Sequence, residues 1–204
     1  MTCADAALRF LNRRTPDLDE AKEALKQIVV AGQRASAVIG SIRTIFKNEA
    51  RHRISLDLNE LIRESLALVQ ENLNKHQVTV EADLNDHLSK VTGDRIQLQQ
   101  VLVNLISNAI DSMSGVDGSR VLTVKSELLE GGDVGASIAD NGKGISPDDI
   151  ERIFSPLFTT KRDGMGMGLA ICRSIIESHD GRLWAAPNAP RGAVFYFSVR
   201  STSL

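Results

Sequence analysis

Two asparagines, Asn104 and Asn108, stand four residues apart in the run NLISNAID, a spacing that puts both amides on one face of a helix. Their neighbours Leu102, Leu105, Ile106 and Ile110 are apolar, so the pair lies at a hydrophobic boundary. An amide oxygen is a neutral hard donor, able to share a magnesium ion whose remaining ligands are phosphates and water. Two helix asparagines bonded locally would read the same way. Asp140 follows a strand-like pattern in IADNGKGIS, with Gly142 and Gly144 in the turn behind it. Its carboxylate could accept a hydrogen bond from an exocyclic amine such as that of adenine, while the glycines let a ring approach the backbone. A plain Asn-Gly turn is the alternative. Gly164, Gly166 and Gly168 then alternate in DGMGMGLAI, just ahead of an apolar helical pattern. Alternate glycines let backbone N–H groups approach an anion, and a helix starting near Met167 aims its positive end at the same place. A tight loop leading into a helix is again the alternative.

The glycines are not a P-loop, since no Gly-Lys-Ser/Thr follows them. Nor are they a dinucleotide fingerprint: the spacing is GxGxG, and the preceding TTKRD is no strand.

These groups need elements to position them. The chain has 204 residues, 42% of them apolar and 25% charged, with a net charge of −2; this is the composition of a globular protein with one well-buried core plus a smaller element. No basic stripe suited to nucleic acid is present, and no apolar run approaches the ~18 residues of a membrane span. Neither a nucleic-acid partner nor direct membrane contact is expected. Cys3 and Cys172 lack metal-site spacing and suit a reducing, cytoplasmic compartment. Small or apolar residues at Leu18, Ala21, Leu25, Ile28, Gly32, Ala35, Ile39, Ile42 and Phe46 keep the three-and-four spacing of a helix-bundle seam. The junction EARHRISLDL follows. LNELIRESLALVQENL then reads as a helix, QVTVEADL as a strand, DRIQLQQVLVNLISNAIDSM as a helix, and RVLTVKSELL with DVGASIAD as strands joined through Gly131-Gly132. SPDDIERIF reads as a helix capped by Ser146 with Pro147 at its first position. RLWAAP and AVFYFSVR close the chain as strands. The expectation is an α+β fold, a two-layer sandwich with helices on one face of a sheet.

The stretches NLISNAIDSM, DNGKG, IFSPLFTTK and GMGMGLAI, in that order, resemble the N, G1, F and G2 boxes of the sensor histidine kinase ATP-binding domain. That domain belongs to the superfamily shared with gyrase, Hsp90 and MutL. The resemblance runs from about Asp57 to Val199, and the upstream helices are similar to part of the family's dimerisation and phosphotransfer hairpin. DRIQLQQVL and ICRSIIESHDGRLWA look most like kinases of the oxygen- and light-sensing bacterial group. The resemblance implies a Bergerat-type ATP-binding fold at 55–204, a partial helical hairpin at 1–54, and ATP with Mg²⁺ as cofactors. By the same resemblance Asn108 is the main Mg²⁺ ligand, with Asn104 assisting it or lying close to the phosphates. Asp140 binds the adenine amine with Gly142 and Gly144 beside it, and Gly164, Gly166 and Gly168 form the hinge and phosphate end of a mobile lid that Phe154 and Phe158 pack down. Lys161 and Arg162 lie on that lid, either meeting phosphate oxygens or standing as solvated charges.

Hydrolysing relatives carry a glutamate one turn before the magnesium asparagine, as general base for water. Here that position is Asn104, whose amide cannot take the proton, which favours transfer to a nucleophile stronger than water. The family's nucleophile is a histidine followed by Glu or Asp on the first bundle helix. Of His52, His76, His87 and His179, only His179 precedes an acid, and it sits where an imidazole simply suits a helix C-terminus. The phosphoacceptor is therefore expected upstream of or outside this chain. The implied partners are a second copy through the N-terminal helices, the helix bearing the acceptor histidine, and a response-regulator receiver domain. A gyrase- or MutL-type ATPase, a serine-directed kinase and a dimerisation module are the alternatives.

Overall fold

The computed structural model describes residues 8–10, 18, 20–22, 25, 53–161 and 165–202. The chain divides into two compact units, Met1–Lys47 and Asn48–Leu204. In the first, Leu8, Arg9 and Phe10 are helical, as are Leu18, Glu20, Ala21, Lys22 and Leu25. Ala21 is buried, whereas Leu18 and Leu25 are about half exposed. The rest of the seam expected from Leu18 to Phe46 lies outside the described residues.

The second unit opens with β1 (Ile54–Leu56), which pairs antiparallel with β3 (Val91–Gly93). Three-residue strands carry no alternation to read, and the sequence suggested neither. Asp57 caps α1 (Leu58–Leu68), its carboxylate accepting from the amides of Asn59 at 2.8 Å and Glu60 at 3.1 Å. The single helix expected over LNELIRESLALVQENL is interrupted at Val69, where a separate α2 (Gln70–Lys75) begins. The break lets Val69 and Leu73 both enter the core. After β2 (Val78–Leu84), Asp94 caps α3 (Arg95–Met113). Leu98, Val101, Leu102, Leu105, Ile106, Ala109, Ile110 and Met113 form its buried stripe, with the three-and-four spacing of a core-facing helix.

β4 (Arg120–Leu128) and β5 (Val134–Asp140) follow as a hairpin, then β6 (Arg182–Pro187) and β7 (Ala193–Val199). The five-stranded sheet has the order β2-β4-β5-β7-β6, with β2 parallel to β4 and every other pair antiparallel. Val124, Ile138, Phe195 and Ala185 share one row of side chains facing the helices and pack in one apolar cluster with the stripe of α3 and with α4 (Gly168–Glu177). On the other face the only tryptophan and the only tyrosine, Trp184 and Tyr196, stack with ring centroids 5.4 Å apart. The α+β two-layer arrangement read from the sequence is the one observed. SPDDIERIF departs from it, forming two short 3₁₀ turns, Pro147–Asp149 and Arg152–Phe154, and Ser146 makes no side-chain cap. Pro156 bars a helical conformation at Ser155, leaving too few residues for a stable α-helix.

His179 is 1% exposed. Its Nδ1–H donates to the Ile175 carbonyl at 2.7 Å, and its Nε2 accepts from the Asp94 amide at 3.0 Å. The ring is a neutral structural strut joining the end of α4 to the start of α3, which disposes of it as a phosphoacceptor. Replacing it with alanine should lower unfolding free energy by about 2–4 kcal/mol, through a cavity and an orphaned amide. Urea denaturation measures this, and a loss under about 1 kcal/mol would contradict the strut. The next residue, Asp180, has φ 58°, the left-handed region that favours glycine.

Candidate nucleotide site

A cavity of about 460 Å³ opens beside α3, within the size range of small-molecule sites. Its walls come from five places: Asn108 on α3, the turn Lys143–Ser146, Asp149 and Ile153 on the two 3₁₀ turns, the segment Phe158–Lys161, and Met165–Leu169 at the start of α4. Met167 provides no side-chain cap for α4, so the first amides of that helix are available to an anion at the cavity wall.

The expected residues separate into two groups. Asn108, Gly144, Lys161, Gly166 and Gly168 line the cavity. Asn104, Asp140 and Gly142 are not among its walls, and Arg162 and Gly164 lie outside the described residues. Asn104 is turned toward α4, its side chain beside the Cys172 thiol and its Oδ1 4.0 Å from where a Cβ at Gly168 would stand. Cys172 is fully buried, and burial pushes its thiol up to about 12, so it behaves as an inert core residue. The two asparagines are alike in sequence and differ in what they face.

The glycines also divide by role. Gly166 has φ 66°, and a Cβ there would stand 2.5 Å from the Leu157 carbonyl carbon and the Phe158 oxygen. Its carbonyl accepts from the Leu157 amide at 3.0 Å. Gly166 therefore lets two backbone segments touch, rather than serving an anion directly. Gly168 has room, since a Cβ there would stand 4.0 Å from Asn104 Oδ1. Gly142 packs on the end of α3, where a Cβ would fall 2.2 Å from Ser112 Oγ. Phe154 is buried edge-on to Phe195 under the Arg173 guanidinium, and Phe158 lies beneath that of Arg152.

Asp140 is 2% exposed at the end of β5. Its Oδ1 accepts from Ser112 Oγ at 2.6 Å and from the Gly142 amide at 2.8 Å. Burial holds its pKa above the usual carboxylate range, opposed by the bonds from Ser112, Gly142 and the Ala193 amide. The folded protein therefore takes up this proton at higher pH than the unfolded chain. The charged form costs stability above the raised pKa, and that cost is relieved as pH falls through it toward 3.8. Compared with Asp140→Asn, the parent should gain relative stability as pH falls through the raised pKa toward 3.8, and lose nucleotide affinity over the same fall. Paired denaturation and binding curves check both signs; flat difference curves would contradict them.

Ser112 and Asp111 escaped the sequence reading. Continuing the Asn104–Asn108 face by one more turn reaches both. Asp111 Oδ2 and Asn108 Oδ1 converge on one cation, the Lys161 ammonium, at 2.6 and 2.9 Å. Hard oxygen donors gathered on a cation are what Mg²⁺ requires when phosphates and water complete its shell. No cluster of three or more His, Cys, Asp or Glu suited to a metal occurs among the described residues, so a metal here would depend on the nucleotide for the rest of its ligands.

Residues 93–203 match the family described as histidine kinase-, DNA gyrase B-, and HSP90-like ATPase. The chain belongs to that family. Similar proteins include the sensor histidine kinase TmoS of Ectopseudomonas mendocina, 32% identical over 98% of this chain and 21% of its own length. The sensor protein FixL of Bradyrhizobium diazoefficiens is 36% identical over 90% of this chain and 36% of its own. This chain thus spans well under half of these two relatives. Among solved structures, the catalytic domain of histidine kinase ThkA is 33% identical with a TM-score of 0.64, covering 75% of this chain and 99% of that one. ThkA in complex with the response regulator protein TrrA gives 29% and 0.75, covering 98% and 57%. Among the described residues no helix is long and apolar enough to cross a membrane.

Proposed function

We propose that this chain is the catalytic part of a sensor histidine kinase, which binds ATP with Mg²⁺ and delivers the γ-phosphoryl group to a histidine outside it. The observation that carries this reading is on α3: Asn108 lines the cavity with its amide oxygen already bonded to a cation, and position 104 behind it carries an amide rather than a carboxylate that could activate water. Asp140 would accept the adenine amine, and the amides opening α4 would bind phosphate oxygens. Asn108, with Asn104 behind it, would hold the Mg²⁺ ion, whose contribution is to neutralise phosphate charge during transfer. Gly144 and Gly166 shape the cavity, and Lys161 brings a positive charge to its phosphate end. Arg162 and Gly164 belong to the same lid by sequence. In the transfer itself the bond from Pγ to the β,γ-bridging oxygen breaks as the imidazole nitrogen bonds to phosphorus, and ADP leaves.

The intact protein would dimerise through its N-terminal helices and pass the phosphoryl group to a receiver domain. The complex of ThkA with a response regulator supports that kind of partner. The test supplies a helix fragment bearing a histidine followed by Glu or Asp, together with labelled ATP. Label on the fragment, with little free phosphate, is the expected result. Steady phosphate release without transfer would favour the ATPase reading instead.

A further inference from the structure

The pairing of Lys161 with α3 goes beyond that assignment. Lys161 lies on a segment that lines the cavity together with Asn108, and its ammonium donates to two oxygens three residues apart on α3. Such a spacing places both oxygens on one helix face. The lysine is itself held in a turn, its amide donating to Thr159 Oγ1 at 3.1 Å. Asn108 Oδ1 is at once the lysine's acceptor and the oxygen best placed for a metal. An ammonium and a divalent cation on one amide oxygen would repel each other strongly at close range. Metal binding at Asn108 would therefore compete with the Lys161–Asn108 bond.

We propose that Lys161 and Asp111 form a charge latch between the lid segment and α3, with Asp111 the positioning residue that keeps the ammonium beside Asn108 until a metal–nucleotide complex takes its place. The exchange half of this proposal rests on the nucleotide reading above; the latch itself does not. Asp111 contributes the stronger bond, 2.6 Å between full charges, against 2.9 Å to a neutral amide. Both partners are partly exposed, with side chains 42% and 48% accessible, so the coupling is modest and reversible, as a latch that must open requires.

The test is a double-substitution cycle on the full chain with Asp111→Asn, Lys161→Met and both together. Nuclear magnetic resonance follows the Asn108 side-chain amide, and titration follows the affinity for Mg²⁺ with the non-hydrolysable analogue AMPPNP. In nucleotide-free protein each single substitution should shift the Asn108 amide resonance, and the double should shift it no further than Lys161→Met does. With Mg²⁺–AMPPNP bound, the parent and Asp111→Asn should give the same Asn108 signal. Asp111→Asn should change the dissociation constant about two- to five-fold in the parent, and less than about 1.5-fold in the Lys161→Met background. Additive shifts, or an Asn108 signal indifferent to Asp111→Asn, would overturn the latch. A latch present in nucleotide-free protein that persists when the metal complex binds would overturn the exchange. Complete failure to bind nucleotide would overturn both the exchange and the catalytic reading, while the nucleotide-free spectra still judge the latch.

Discussion

Asp140→Asn is expected to weaken ATP binding by about 100-fold while the domain stays folded. A hydrogen bond to a charged acceptor is worth about 1.5–3 kcal/mol where water is excluded, and Asp140 is almost completely buried at the end of β5. Ser112 Oγ and the Gly142 amide both bond Oδ1. An asparagine can keep those two bonds on its own oxygen. Its amide nitrogen would then replace the other oxygen, presenting a donor where the adenine amine needs an acceptor. Because burial already disfavours the Asp140 charge, the unfolding midpoint at neutral pH should not fall. Binding reduced with stability preserved identifies a recognition residue. Unchanged affinity would make Asp140 a structural staple and take the adenine site elsewhere.

Gly192→Ala should produce the opposite pattern, with the fold itself failing. Gly192 has φ 110°, and a Cβ there would stand 1.9 Å from the Asp140 carbonyl oxygen. That oxygen also accepts from Asn188 Nδ2 at 2.9 Å, and the Gly192 carbonyl accepts from the Asn188 amide at 3.0 Å. Gly144 packs on the same glycine, a Cβ there standing 3.0 Å from the Gly192 carbonyl oxygen. A side chain at 192 must therefore push apart the backbone that ends β5, the turn after it and the loop into β7. Forced contact plus a conformation disfavoured for L residues should cost about 3–5 kcal/mol. Chemical denaturation reads the loss, and a change below about 1 kcal/mol would contradict this packing.

What the sequence disclosed follows from how local each signal is. The nineteen residues of α3 keep one apolar stripe throughout, so both the helix and the shared face of its two asparagines were legible. The hairpin of β4 and β5 was legible as two strand-like runs on either side of Gly131 and Gly132, both at positive φ in its turn. β1 and β3 are too short for a period to show. Residue spacing alone did not show that Asn108 faces the cavity and Asn104 faces α4, because Lys161 and α4, which surround them, arrive from distant parts of the chain. Gly166 announced itself within a repeat but for another reason: its missing side chain makes room for Leu157 and Phe158. Gly192 carried no signal at all, since the carbonyl it accommodates belongs to a strand joined to it only by folding.

Calorimetric titration of ATP, with and without Mg²⁺, into the parent and into Asn108→Ala is the most direct test of a metal–nucleotide site at this cavity. The parent should bind more tightly with Mg²⁺ present, and Asn108→Ala should lose that magnesium-dependent gain, on the order of ten-fold or more for one ligand oxygen. Equal affinities with and without Mg²⁺ in the parent, or a magnesium effect that survives the loss of Asn108, would contradict it.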